Sequence, residues 1–274
     1  MRLLQRFKLS WLVAIPFAFP FDAAIQAEEV ACSYDGASHT VIIQAPPTEI
    51  EFADYRLEVV DERIEFDRAP CGEATVTNTD TILFSGLPPG GIASEYIAVH
   101  LPFAPGFSPE PEGVAEIEIV LDFPAGFGYV DVVGTDGPDS ITLGTLGYNV
   151  NGDDDLDIQI SGVTEYDIEG MAGPDRISTA GGRGTGAPVS VQHYLSLRVY
   201  GFEGRDRLIG GPQRSLLSGG RGRDVVRAGA GNDFLDPADW YGRDKLAGGG
   251  GHDRCFGTRA DSMSGCERVF PPPF

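Results

Sequence analysis

Glycine and aspartate recur on a nine-residue grid in the second half of the chain, and this period restricts the fold more than any other feature. Gly134, Gly137, Asp139 and Ile141 set a spacing that returns at Gly170, Gly173, Asp175 and Ile177, and again at Gly201, Gly204, Asp206 and Leu208. It continues at Gly219, Gly222, Asp224 and Val226, at Gly231, Asp233 and Leu235, at Gly242, Asp244 and Leu246, and at Gly248, Gly251 and Asp253. Ser215 fills the vacant grid position between Asp206 and Asp224, the insertion Pro237-Ala238 shifts the count before Asp244, and Asp261 belongs to a weaker last copy. Two positions beyond the grid stand Leu208, Leu217, Val226, Leu235, Leu246, Cys255 and Met263, an apolar column expected to face inward. Counting nines from Asp139 gives Tyr148, Asp157, Tyr166 and Asp175, with Ile141, Val150, Gln159, Ile168 and Ile177 as the inward column that only Gln159 interrupts. A nine-residue unit fits six residues of turn and three of strand, so that two units wind one coil and successive coils stack about 4.8 Å apart. The fold class expected is all-β: a short-strand β region followed by a parallel β-roll or β-helix.

The turns of such a solenoid explain the composition. Glycine supplies 37 of 274 residues, about twice the usual share, and without a Cβ it lets carbonyls of neighbouring turns converge. Stacked turns then bring Asp206 beside Asp224, Asp224 beside Asp244 and Asp233 beside Asp253, with Asp139, Asp157 and Asp175 sharing an edge of the first block. Two carboxylates about 5 Å apart repel by about 3 kcal/mol at an effective dielectric near 20. A hard cation that takes six to eight oxygens reverses that cost. The candidate ligands are those eight aspartates together with the turns of Gly204, Gly222, Gly231, Gly242 and Gly251.

These residues resemble the RTX, or hemolysin-type, calcium-binding nonapeptide GGxGxDxUx, where U is a large apolar residue. The resemblance covers about residues 134–263, is interrupted at 179–200, and is closest at 219–236. It implies a right-handed β-roll ordered by Ca²⁺. The flanking segments are similar to those around such arrays in exported actinobacterial proteins. The chain departs from the pattern at the fifth position of the repeat, where Arg205, Arg223 and Arg243 replace small residues, with Arg207, Lys245 and Arg254 after the aspartates. An alternative is therefore a metal-independent structural solenoid or adhesin in which Arg–Asp pairs replace calcium.

The remaining sequence sets the context. Arg2, Arg6 and Lys8, an apolar run and the small residues before Glu28 read as a signal peptide over 1–27, so the protein is expected outside the cell. Residues 28–133 read as a strand-rich β domain, 134–178 as a first, degenerate repeat block, 179–200 as an insertion with a strand, 201–264 as the second block and 265–274 as a cap. No other segment is apolar enough to span a bilayer. The order of Cys32, Cys71, Cys255 and Cys266 suggests the disulfides Cys32–Cys71 and Cys255–Cys266, although three pairings are open. A net charge of −21 disfavours a nucleic-acid partner and favours cations. His39, His100, His193 and His252 are scattered and no HExxH or GxSxG motif is present, so no catalytic residue is assigned and no enzymatic role is expected, a carbohydrate-active β-helix being the lesser alternative.

Overall fold

The computed structural model describes residues 31–44, 52–85, 96–102, 117–123, 128–191, 196–239 and 242–271. Residues 1–27, read as the signal peptide, and His193 lie outside them. Among the described residues every regular element is a strand. All but two of them form two long sheets facing each other across one core; Glu203–Gly204 and Arg221–Gly222 pair in a small third sheet.

The first sheet has 12 strands in the spatial order Ala31–Asp35, Thr40–Gln44, Thr81–Ser85, Glu118–Asp122, Ile158–Ser161, Gly147–Asn149, Ser140–Gly144, Arg176–Ser178, Arg207–Ile209, Val225–Gly231, Lys245–Gly251 and Ser262–Ser264. The second has 11: Ala69–Thr75, Arg63–Phe66, Phe52–Val60, Tyr96–Pro102, Gly128–Val133, Val163–Glu169, Leu197–Tyr200, Leu216–Ser218, Phe234–Asp236, Arg254–Phe256 and Arg268–Phe270. The chain mostly alternates between the sheets, which makes most pairings parallel, as a solenoid requires; the exceptions are Ala31–Asp35 with Thr40–Gln44, the run Phe52–Val60, Arg63–Phe66 and Ala69–Thr75, and the hairpin of the first block described below.

The inward columns hold the coils together. In the first sheet Ile141 stands opposite Ile177, Ile177 opposite Leu208, Leu208 opposite Val226 and Val226 opposite Leu246. In the second, Val199 is followed by Leu217, Leu235 and Cys255 in register. All of these are buried, whereas Gln159 is exposed. Because only every second strand residue faces in, each three-residue strand gives the core one side chain, and identical registers stack like on like.

Two features of the strand pairing show how the segments are joined. Both sheets run without a break through residue 134: Glu118–Asp122 pairs in parallel with Ile158–Ser161, and Gly128–Val133 with Val163–Glu169. The segment 28–133 thus shares its sheets with the repeat blocks. Its strands stack on the same rungs without the Gly/Asp turns, because alternation of buried and exposed residues suffices for pairing. Secondly, the first block is not a plain run of half-coils. Ser140–Gly144 and Gly147–Asn149 form an antiparallel hairpin, and Gly147–Asn149 pairs antiparallel with Ile158–Ser161.

A disulfide lies at each end of the solenoid. Cys32, in the outermost strand of the first sheet, joins Cys71 in the outermost strand of the second, with 4.9 Å between Cα atoms. Cys255 in the second sheet joins Cys266, just after the last strand of the first, at 5.8 Å. Of the three possible pairings these are the two expected.

Candidate metal centre

Each grid aspartate directly precedes a strand, and the strand stacking places it above its equivalent one coil away. The backbone N–H of Asp139 donates to Oδ1 of Asp175 at 2.9 Å, and the N–H of Asp175 to Oδ1 of Asp206 at 2.8 Å. The ladder continues from Asp206 to Asp224 at 2.9 Å, from Asp224 to Asp244 at 2.7 Å and from Asp244 to Asp261 at 3.0 Å. A second ladder runs along the other edge, where Ser215 donates to Asp233 and Asp233 to Asp253, both at 2.8 Å, and Asp253 donates to Oε2 of Glu267 at 2.6 Å. The three pairs expected from the period, Asp206 with Asp224, Asp224 with Asp244 and Asp233 with Asp253, are therefore neighbours.

One oxygen of each carboxylate is consumed by this ladder and the other is not. Oδ2 of Asp175, Asp206, Asp224, Asp233, Asp244 and Asp253 is buried with no hydrogen-bond partner, and these residues are 1–2% exposed. A buried carboxylate oxygen without a donor is costly and calls for an explanation. The ladder ends are different. Asp139 accepts from the Thr135 N–H at 2.8 Å and its hydroxyl at 3.1 Å, and Asp261 accepts from the Thr258 N–H at 2.7 Å and its hydroxyl at 2.9 Å. Threonine thus satisfies the carboxylates at both ends of the first ladder, and the internal ones keep one oxygen without a donor.

Glycines shape the space around those oxygens. A Cβ on Gly170 would stand 2.5 Å from Asp175 Oδ2 and 3.0 Å from the carbonyl oxygen of Gly201, and one on Gly201 would meet Asp206 Oδ2 and the Gly219 carbonyl. The missing side chain leaves a gap with a carboxylate oxygen of one coil and a carbonyl oxygen of the next on its border. At Gly222, with φ +152°, a Cβ would overlap the Gly204 carbonyl, and at Gly251 it would overlap that of Gly231. A Cβ on Gly204 would in turn overlap the carbonyl of Gly173, and one on Gly231 would come 3.0 Å from Asp233 Oδ1.

Burial is the main cause of the electrostatic state of these groups. It pushes Asp175 and Asp224 up to about 7 and Asp206, Asp233 and Asp244 up to about 6, against the lowering effect of the ladder hydrogen bonds. Asp253 is raised for the same reason. The arginines of the repeat offset this only in part: Arg214 acts to lower Asp233 and Arg223 to lower Asp244, against the larger effect of burial. Arg205, Arg223, Arg243, Lys245 and Arg254 are exposed, and among the described residues no ladder aspartate lies within 4.0 Å of an Arg or Lys nitrogen.

The structure does not bring every candidate into the ladders. Asp157 is displaced by the hairpin of the first block: its carboxylate accepts from the Val150 N–H at 2.6 Å, and Asp139 passes directly to Asp175. Counting nines cannot distinguish a half-coil from a strand that turns back. Tyr148, on the same count, is wholly buried rather than at an edge. Conversely, Glu267 was not singled out, because the last coil is shorter and a longer side chain replaces Asp at its edge. Asp239 was also missed, since it follows the insertion and lies off the grid. Among the described residues no three His, Cys, Asp or Glu side chains form a ready-made metal cluster, so any ion here would depend on backbone carbonyls as well. Carboxylate and carbonyl oxygens are the donor set of a hard divalent cation such as calcium.

Residues 200–235 and 241–261 match the family model of the RTX calcium-binding nonapeptide repeat, in four copies. The match covers five of the six aspartates whose Oδ2 lacks a partner; Asp175 lies before it. No curated protein and no solved structure matches the chain at a significant level. The ladders and the glycine gaps of residues 200–261 thus lie in a segment that matches the RTX-type calcium-binding repeat.

Proposed function

We propose that this is an exported protein whose C-terminal coils bind several calcium ions between stacked turns, and that calcium is what orders them. The observation that carries the reading is the row of buried, unpartnered Oδ2 atoms, with no ion pair between a ladder aspartate and an arginine among the described residues. Were Arg–Asp pairing the substitute for calcium, those guanidinium groups would lie against the carboxylates. Asp175, Asp206, Asp224, Asp233, Asp244 and Asp253 would hold the ions, with carbonyls of the glycine turns completing each shell. Calcium supplies the positive charge that lets the buried carboxylates stay ionised.

Export is supported by the basic and apolar character of the first 27 residues and by the two disulfides, which persist in oxidising compartments. Extracellular calcium modules bind at about 0.1–1 mM, so the array would be loaded outside the cell. The role is one of binding and assembly, without turnover of a substrate.

Isothermal titration of the purified protein with calcium tests the reading. More than one ion bound per chain, at about 0.1–1 mM or tighter, with fewer bound by Asp224→Asn, is the expected result. Absence of binding at about 5 mM calcium would contradict it and favour a ladder that is neutralised by protons.

A further inference from the structure

We propose that the outer face of the first sheet, over the rungs from Arg176 to Lys245, is a docking surface for a linear acidic polysaccharide, a sugar chain that carries a carboxylate on each unit. This surface is separate from the buried carboxylates of the turns, does not require that they hold calcium, and adds an anionic ligand to a chain whose net charge is −21.

The strand register builds the face. Ile177, Leu208, Val226 and Leu246 are buried in the core, so the residue on either side of each points outward. Arg176 stands opposite Arg207, Arg207 opposite Val225 and Val225 opposite Lys245, and in the next column Ile209 stands opposite Arg227. The residues that lead into the strands add a third column. Gly204 pairs with Gly222 and the N–H of Asp206 donates to Asp224, which stacks Arg205 over Arg223; the N–H of Asp224 donates to Asp244, which carries the row on to Arg243. Four successive rungs, about 4.8 Å apart, thus hold six arginines and one lysine, and no Asp or Glu interrupts the three columns.

Basic side chains on neighbouring rungs repel one another, and the protein does not pair them. Among the described residues none of the seven lies within 4.0 Å of a carboxylate oxygen. Arg207 is half-buried and its Nε has no acceptor, and the other six are exposed. The acids of the adjoining turns are engaged elsewhere: Glu203 accepts from Arg221 at 3.1 Å, and Asp239 from the N–H groups of Gly242 and Gly222 at 2.9 and 3.2 Å. The ladder aspartates of the same rungs are buried behind the face, where Arg223 acts on Asp244 without pairing with it.

Charge complementarity names the partner. Guanidinium groups bind carboxylates through paired N–H donors, and a row of them at a fixed spacing suits a polymer with an anion on every unit. The three columns contain no aromatic side chain, on which the bases of a single-stranded nucleic acid would stack. Nor do they present an exposed large apolar side chain, which an interfacial membrane site uses. The acidity of the rest of the chain keeps a polyanion to this one face.

The test is calorimetric titration of the full chain with a short soluble oligogalacturonate in about 1 mM calcium, with a neutral glucan oligomer, single-stranded DNA and phosphatidylserine vesicles as comparisons. Binding of the oligogalacturonate is expected, weakening with added salt, with none of the neutral oligomer. The double variant Arg207→Ser, Lys245→Ser should bind about tenfold more weakly or worse, with a Tm equal to or above that of the parent because repulsion is relieved. Arg63→Ser, at an exposed arginine near the far end of the second sheet, should leave binding unchanged. Absence of oligogalacturonate binding, equal binding of the neutral oligomer, or an equal loss with Arg63→Ser would overturn the proposal. Equal or tighter binding of the DNA or the vesicles would overturn it and assign the face to that partner instead. A double variant that fails to fold, or melts clearly lower, would make the basic rows structural and overturn it as well.

Discussion

Asp206 gives one carboxylate oxygen to the amide of Asp175 and keeps the other buried, and the same division recurs at every internal rung. Its consequence at the scale of the residue is a pH dependence of opposite sign to that of ordinary salt-bridged proteins. Carboxylates raised from 3.8 to about 6 or 7 bind protons more tightly in the folded chain than in the unfolded one. Without metal, their contribution to stability is fully present below about pH 4 and is lost as the pH rises through 6–7. Calorimetry in chelator should therefore show a higher Tm at pH 5 than at pH 7.5. With calcium the preference reverses, since protons and the ion compete for the same oxygens. A Tm in chelator that rises from pH 5 to pH 7.5 would mean that the ladder carboxylates are not buried as described. The grid aspartates were legible in the sequence because their spacing is the spacing of the coils. Asp239 and Glu267 were not, because an insertion and a shortened coil bring them to the edges by three-dimensional proximity alone.

The elements are short, and their stability comes from stacking rather than from propensity. Leu217 stands between Val199 and Leu235 with no exposed surface. Leu217→Ala should lower stability by about 2–5 kcal/mol, read from denaturant unfolding, while a similar change at exposed Leu146 should have little effect. Equal effects at the two positions would contradict the inward column. The region before residue 134 was legible as strand-rich: in Thr40–Gln44 and Arg63–Phe66 buried residues alternate with more exposed ones. What they pair with was not legible, because alternation specifies which side of a strand is buried and leaves its partner open. The same ambiguity hid the hairpin at Ser140–Gly144 and Gly147–Asn149, whose residues continue the apolar column while the chain reverses direction.

For the molecule as a whole, one two-sheet stack is closed by a disulfide at either end, and its turns change character along its length. Residues 201–268 hold 11 basic and 10 acidic side chains, so the acidity of the chain resides mainly before them. Net charge is therefore no measure of calcium capacity; in the proposed reading the buried oxygens of the second block are. Each site at about ten times its Kd would add about 1.4 kcal/mol, and several together would decide whether the C-terminal coils are ordered. The most direct measurement is thermal unfolding of the purified protein, followed by far-UV circular dichroism, in chelator and in about 5 mM calcium. A gain of β signal together with a clear rise in Tm on adding calcium is the result expected; an identical spectrum and Tm in both conditions would contradict the account.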